Sequence, residues 1–254
     1  MSHSISLHVG VWKPGQCDGD ELSGPRADPF AMAAIAHHHG FQETFVISGP
    51  LATWPAVQAK IQYAIDRIDP GGVFLLTFSG HGTHADEARR IQTWCMATEV
   101  VPDRDIFREL KGFSAKNVRV ILVSSSCFSG GLDAGFREIL IGLLKRMIGL
   151  SPRPRALPLV QRSAIETSDR FADGPSVLLL ASSRAYEKSK DDTPLTLYTQ
   201  VLWDVWDSGR FPGTLDEFAA TVRLKVGEKK PDQTPVARAY GPAYPWGTSR
   251  PFAT

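Results

Sequence analysis

Residues 73–82 read VFLLTFSGHG, an apolar run that ends in a glycine-flanked histidine. Residues 118–127 read VRVILVSSSC, a second apolar run that ends in three serines and a cysteine. Apolar runs without alternation are typical of strands buried on both faces of a parallel sheet. Helical patterns separate such runs along the chain, with short connections. This alternation predicts a doubly wound α/β/α sandwich with a mostly parallel central sheet of about six strands.

Further elements extend this pattern in both directions. We expect strands at residues 5–11, 43–48 and 176–183, and helices at residues 29–40, 54–68, 194–207 and 215–226. A stretch at residues 150–175 is rich in Pro, Arg and Ser and predicts a long surface loop. We therefore expect a single domain over residues 1–254, with a larger part at 1–149, a linker at 150–175 and a smaller part at 176–254.

Composition limits the classes of partner. The chain has 254 residues and a net charge of +1, which gives no reason to expect a nucleic acid or a membrane as a partner. Its three cysteines, Cys17, Cys95 and Cys127, form no CxxC pair and suggest neither a disulfide framework nor a zinc site. They suit a reducing compartment, and the first residues lack the pattern of a signal peptide. We expect a cytoplasmic protein.

His81 and Cys127 form the candidate catalytic pair. Each follows a predicted central strand, and catalytic residues of doubly wound sheets collect beyond the carboxyl ends of the strands. A thiol beside a histidine can act as a nucleophile. Each residue also has a simpler interpretation, the cysteine as a small buried hydrophobe and the histidine as a turn residue. Their joint position, their order and their separation of 46 residues favour the catalytic interpretation.

The two motifs resemble those of a known family. FSGHG at residues 78–82 is similar to the metacaspase motif YSGHG, and SSCFSG at residues 125–130 is similar to DSCHSG. LSGPRADPFAM at residues 22–32 and QTP at residues 233–235 add weaker matches. The chain thus resembles the caspase-like cysteine peptidases (peptidase C14, clan CD), in the branch of metacaspases and bacterial caspase homologues (orthocaspase-like). This resemblance implies a caspase-like fold and a cysteine endopeptidase.

The resemblance also implies a role for individual residues. Cys127 would be the nucleophile, His81 the general acid and base, and the N–H groups of Gly82 and Cys127 the oxyanion hole. Asp28 and Ser79 would line an S1 pocket that selects Arg or Lys, although Asp28 could equally be a helix N-cap or a charge in the first turn before Phe30. Ser125 stands where the family has a second pocket aspartate, so the preference for basic residues should be weakened.

Partners and regulation follow from the same resemblance. We expect a protein or peptide substrate, a regulatory protein partner, and a role in a stress, cell-death or defence pathway. We expect no metal site and no cofactor; Asp191 and Asp192 could match calcium-binding acids of some metacaspases, but a solvated charge pair is the simpler interpretation. The basic loop at residues 145–170 is a candidate site of self-cleavage.

Two other functions are compatible with the sequence. A caspase-like pseudoprotease that acts as an interaction module would keep the fold and lack the activity. Another α/β cysteine hydrolase, such as a glutaminase-type acyl transferase, would carry its histidine after its cysteine, whereas His81 precedes Cys127. A nucleotide-binding domain is disfavoured because the chain lacks a GxGxxG turn and a P-loop.

Overall fold

The computed structural model describes residues 3–15, 17, 21–86, 91–126, 163–168, 171–183 and 194–254. Its main sheet has seven strands: β1 (Ile5–Val11), β2 (Glu43–Ser48), β3 (Val73–Gly80), β7 (Arg119–Ser125), β8 (Ile165–Ser168), β9 (Ser176–Ala181) and β10 (Val236–Tyr240). They lie in the order β2-β1-β3-β7-β9-β10-β8. Every neighbouring pair is parallel except β9 and β10. The mostly parallel sheet is confirmed, with seven strands instead of about six.

A small second sheet grows from the end of β3. It contains β4 (Gly82–Asp86), β5 (Ile91–Cys95) and β6 (Val100–Pro102), all antiparallel. Only one residue, His81, separates β3 from β4. The turn into this second sheet therefore fixes the position of the histidine backbone.

Helices cover both faces of the main sheet. They are α1 (Asp28–His38), α2 (Trp54–Arg67), α3 (Asp103–Leu110), α4 (Leu197–Trp206) and α5 (Leu215–Lys229). Ile61 of α2 and Ile106 of α3 join one apolar cluster with the side chains on one sheet face. Ile35 of α1, Leu202 of α4 and Phe218 of α5 join a second cluster on the other face. The two clusters confirm the predicted three-layer sandwich.

Strand β8 corrects the prediction of an irregular loop over residues 150–175. It is four residues long and lies at the edge of the sheet, parallel to β10. Only Ile165 of β8 is buried, and its amide N–H donates to Asp216 Oδ1 at 3.0 Å. A strand with one buried residue has too little alternation to be recognised from sequence.

A disulfide joins Cys17 to Cys95, with their Cα atoms 6.0 Å apart. This contradicts the expectation that the three cysteines are reduced. The two residues are 78 positions apart and meet because β5 returns toward the loop that follows β1, which no local pattern indicates. Among the described residues, no helix is long and apolar enough to span a bilayer.

Candidate active site

The two catalytic motifs follow adjacent strands at the same height. β3 and β7 are parallel neighbours, and Ser79 of β3 is paired with Ser125 of β7. His81 stands two positions after Ser79, and Cys127 stands two positions after Ser125. Cys127 itself lies outside the described residues, which reach Ser126 on this side. The ends of β3 and β7 therefore lie side by side at one edge of the sheet, and each is followed closely by one of the two predicted catalytic residues.

The backbone around His81 is held by β5. The carbonyl oxygen of His81 accepts a hydrogen bond from the amide N–H of Cys95 at 3.0 Å. Gly82, the next residue, is paired with Trp94 in the antiparallel ladder. Since the bond from Cys95 to His81 flanks this pair, Gly82 and Trp94 form a non-hydrogen-bonded pair. The β4–β5 ladder consequently does not use the amide N–H of Gly82, the predicted oxyanion donor.

The predicted S1 residues form one hydrogen-bonded cluster. Ser79 Oγ donates to Asp28 Oδ2 at 2.6 Å. Thr196 donates to the same carboxylate twice, from its hydroxyl to Oδ2 at 2.6 Å and from its amide to Oδ1 at 3.0 Å. Ser125 Oγ lies 2.7 Å from Thr196 Oγ1. Because the single hydroxyl proton of Thr196 goes to Asp28, Ser125 donates to Thr196 in this arrangement.

This cluster is closed to solvent. Asp28 is 1% exposed, and Ser79, Ser125 and Thr196 are each at most 4% exposed. Burial raises the pKa of Asp28 to about 6, against the opposing effect of the hydrogen bonds from Ser79 and Thr196. Asp28 can therefore lose its proton near neutral pH.

Close packing at the end of β1 sets the position of Asp28. A side chain at Gly10 would place its Cβ 2.2 Å from the carbonyl oxygen of Pro25 and 2.5 Å from Pro29. Only glycine permits this approach of the turn that begins α1. Asp28 is the first residue of α1, and the N-cap position is occupied by Ala27 without a side-chain cap. Asp28 is therefore not the N-cap, and the other form of the alternative, a charge in the first turn of the helix, is confirmed.

Sequence reasoning missed Thr196. Its local role is visible, because it is the N-cap of α4 and accepts from the amide of Thr199 at 3.4 Å. Its contact with Asp28 spans 168 positions and depends on how α4 packs beside α1. A cap signature predicts the first contact and gives no signal of the second.

Trp94 connects the strands that lead to the two catalytic motifs. Its ring stacks on Phe78 of β3, with centroids 4.4 Å apart and an interplanar angle of 7°. Its indole N–H donates to Ser124 Oγ of β7 at 3.2 Å. Trp94 is 5% exposed, so both contacts are shielded from water. No local sequence pattern predicts either contact.

Other features lie away from this edge. Among the described residues, no group of three or more His, Cys, Asp and Glu side chains could hold a metal ion. Asp191, Asp192 and the basic side chains of the predicted self-cleavage loop lie outside the described residues. A cavity of about 700 Å³ is lined by residues such as Gly71, which precedes β3, and Arg119, which begins β7. It therefore opens at the opposite edge of the sheet, and its described lining residues include none of the predicted site residues.

Comparison with known proteins gives one family match and two similar structures. The family model of the caspase domain matches residues 16–242. A Geobacter sulfurreducens protein of known crystal structure superposes with a TM-score of 0.73 and 23% identity, over 99% of each chain. Caspase-1 from Spodoptera frugiperda superposes with a TM-score of 0.56 and 13% identity, over 97% of this chain and 90% of that one. Both structures share the fold with this chain. No curated protein sequence matches it.

Proposed function

The chain belongs to the caspase domain family, and we propose that it is a cysteine endopeptidase with Cys127 as its nucleophile. The observation that carries this proposal is the register of β3 and β7, in which Ser79 pairs with Ser125. It supports a single site for His81 and Cys127 at the carboxyl edge of the sheet. A caspase domain implies protein substrates, and a peptide bond is the group that this pair would cleave.

The proposed reaction has two stages. His81 accepts the proton of the Cys127 thiol, and the thiolate attacks the carbonyl carbon of the scissile bond. The N–H groups of Gly82 and Cys127 donate to the oxyanion that forms. The oxyanion collapses to a thioester as the amine leaves with a proton from His81. Water, deprotonated by His81, then hydrolyses the thioester and releases the thiol.

We further propose that Asp28 recognises a basic P1 side chain, with Ser79 and Ser125 beside it. An arginine pairs best with a carboxylate through two parallel hydrogen bonds. Asp28 already accepts from Ser79 and twice from Thr196, and Ser125 replaces the second aspartate of the family pattern. One shared charge supports a preference for Arg or Lys that is weaker than two carboxylates would give.

The proposal extends to the branch of the family, to self-cleavage and to the biological role. The motifs FSGHG and SSCFSG favour the metacaspase branch and, with it, a role in a stress, cell-death or defence response, while the basic loop at residues 145–170 favours self-cleavage there. Proteolytic profiling with a peptide library of varied P1 residues measures activity and specificity together. Enrichment of Arg and Lys at P1, lost in Cys127→Ala, is the expected result.

A thiol probe tests the catalytic pair directly. Cys17 and Cys95 are joined, so without reductant Cys127 is the one cysteine of the three that is left for alkylation. We expect iodoacetamide to modify one thiol per chain, and faster than it modifies an unstructured cysteine peptide. His81→Ala should slow the reaction because the thiolate loses its proton acceptor and its counter-ion.

His84→Ala is the matched control, since it removes a second histidine three positions further along the chain. Its alkylation rate should equal that of the wild type. Alkylation of the wild type no faster than that of the free peptide, or equal rates in His81→Ala and wild type, would exclude the proposed pair.

A further inference from the structure

A buried chain of hydrogen bonds holds the strand end that leads to Cys127. The carbonyl oxygen of Ser126 accepts from Ser182 Oγ at 2.8 Å, and more weakly from Ser183 Oγ at 3.5 Å. The amide of Ser182 donates to the carbonyl of Ser124 at 2.9 Å. The carbonyl of Ser182 accepts from Gln233 Nε2 at 3.0 Å. Ser182 is thus held by Ser124 on one side and by Gln233 on the other, and its hydroxyl holds the carbonyl of Ser126 in turn.

This chain is closed to water. Ser182 and Ser183 are 0% exposed, Gln233 is 1% exposed and Ser126 is 2% exposed. A buried carbonyl without a donor costs free energy, so the Ser126 carbonyl is confined to the direction in which Ser182 can reach it. The hydrogen bond from Ser182 is therefore a constraint on orientation.

The same bond constrains the amide of the next residue. The carbonyl of Ser126 and the N–H of Cys127 belong to one planar peptide unit, in which the two groups point in opposite directions. Rotation of this plane would turn the N–H together with the carbonyl. Whatever holds the carbonyl of Ser126 therefore also aims the N–H of Cys127.

We infer that Ser182 is a positioning residue, which aims the Cys127 N–H at the oxyanion through the carbonyl of Ser126. This inference rests on the proposed function, because it is the oxyanion of peptide cleavage that the N–H would meet. Gln233 supports Ser182 from behind. On the side of His81, Trp94 donates a hydrogen bond to Ser124 Oγ. Ser124 Oγ in turn lies 3.1 Å from Ser126 Oγ.

The inference predicts a loss confined to the transition state. In Ser182→Ala the Ser126 carbonyl loses its shorter hydrogen bond and keeps the longer one from Ser183 at 3.5 Å, so the peptide plane can tilt and the N–H meets the oxyanion at a poorer angle. Removal of one oxyanion donor lowers kcat by roughly 10²–10³-fold; since this donor is displaced and not removed, we expect a fall of about tenfold. KM should hardly change, because the substrate carbonyl is not yet an oxyanion in the ground state.

Two further measurements separate positioning from general damage. A peptide aldehyde forms a hemithioacetal whose oxygen occupies the oxyanion position, so its inhibition constant should rise about tenfold, in step with the fall in kcat. Iodoacetamide alkylates the thiolate without an oxyanion, so its rate should be unchanged. Trp94→Phe keeps a ring to stack on Phe78 and removes the donor to Ser124, and it should show the same pattern to a smaller extent.

The control is Ser176→Ala, at the other end of β9. Ser176 Oγ accepts from Trp246 Nε1 at 3.0 Å, so the variant also loses a buried hydrogen bond of a serine. Ser176 and Ser182 are six positions apart along an extended strand, which places them about 20 Å from each other. For Trp94→Phe, the corresponding control is Trp206→Phe, which loses the indole bond to His39 Nε2. Both controls should retain the wild-type kcat.

The outcomes are distinct. A lower kcat in Ser182→Ala with unchanged KM and alkylation rate, and weaker aldehyde binding, supports the positioning role. An active wild type and an equally active Ser182→Ala would overturn the positioning role alone, as would equal losses in Ser182→Ala and Ser176→Ala. A wild type without peptidase activity would overturn the proposed function and, with it, this role.

Discussion

The ionisation of Asp28 should control the preference for basic P1 residues. Two peptide substrates that differ only in Arg or Gln at P1 are compared, and the ratio of their kcat/KM values is followed from pH 5 to pH 8. Burial raises the pKa of Asp28 to about 6, so roughly a tenth of the free enzyme carries the charge at pH 5 and nearly all of it at pH 8. We expect the ratio to rise about tenfold, with its midpoint at pH 6.

The ratio isolates Asp28 from the catalytic pair. Titration of the groups that act on both substrates changes both kcat/KM values equally and cancels. In Asp28→Asn the ratio should stay flat and low at every pH. Asp204→Asn is the control, since Asp204 is a carboxylate of α4 that bonds Gln200 at 2.8 Å on the protein surface; its ratio should follow the wild type.

Stability gives a second measurement that needs no activity. The folded pKa of Asp28, about 6, exceeds its ordinary value of 3.8, so the folded state binds more protons between these pH values. The contribution of Asp28 to stability is therefore fully present below pH 3.8 and is lost as the pH rises through 6. Relative to Asp28→Asn, the free energy of unfolding of the wild type should fall by about 2 kcal/mol between pH 4 and pH 7.

Three results would refute this reasoning. A strong preference for Arg that does not vary with pH would show that another group recognises the P1 side chain. A rise in the ratio that persists in Asp28→Asn would show that a different acid titrates. Stability that titrates as expected beside a flat ratio would leave Asp28 as a buried structural acid and exclude it from S1.

Three further predictions concern the disulfide, a buried histidine and the basic loop. Maleimide labelling of the denatured chain should count one free thiol without reductant and three with it. Cys17 and Cys95 are 78 positions apart, and the chain entropy of a loop of that length predicts that Cys17→Ala loses about 4 kcal/mol of stability. Urea titrations measure this loss, with Cys127→Ala as the control. Burial lowers the pKa of His8 to about 3, from 6.5; the unfolded chain then binds more protons between these values, so stability should fall by up to about 1.4 kcal/mol per pH unit as the pH drops below 6.5. His8→Gln should remove this dependence, and an unchanged slope would contradict it. Purified wild type should convert on gels to two fragments cut within residues 145–170, while Cys127→Ala stays intact; a single wild-type band under activating conditions would exclude self-cleavage.

Much of the fold could be predicted because buried strands leave a strong signal. The bounds of β1 and β2 agree with the predicted residues 5–11 and 43–48. The strands that were missed are short or lie in the second sheet, at the edge or in the C-terminal part: β4, β6, β8 and β10. β6 has three residues and β8 has four, so their pairing depends on neighbours supplied by the rest of the fold and not on their own pattern.

The residues of the candidate site also fall into a predicted group and an unpredicted group. Asp28, Ser79 and Ser125 were predicted from motifs, and the structure brings them into one cluster. Thr196, Trp94 and Ser182 were not predicted, because each acts through a side-chain contact between elements far apart in the sequence. A serine or threonine near a strand or helix end is common, and its partner is known only once the elements are packed.

The same cluster explains why Ser125 suits this chain. Ser125 Oγ lies 2.7 Å from Thr196 Oγ1, which lies 2.6 Å from Asp28 Oδ2. An aspartate at position 125 would therefore bring a second carboxylate within about 5 Å of Asp28, where the side chains are buried, and the two could ionise together only with a cation between them. A serine supplies a hydrogen-bond donor instead and satisfies Thr196 without substrate. In the proposed S1 pocket, this exchange would lower the charge offered to an arginine from two carboxylates to one.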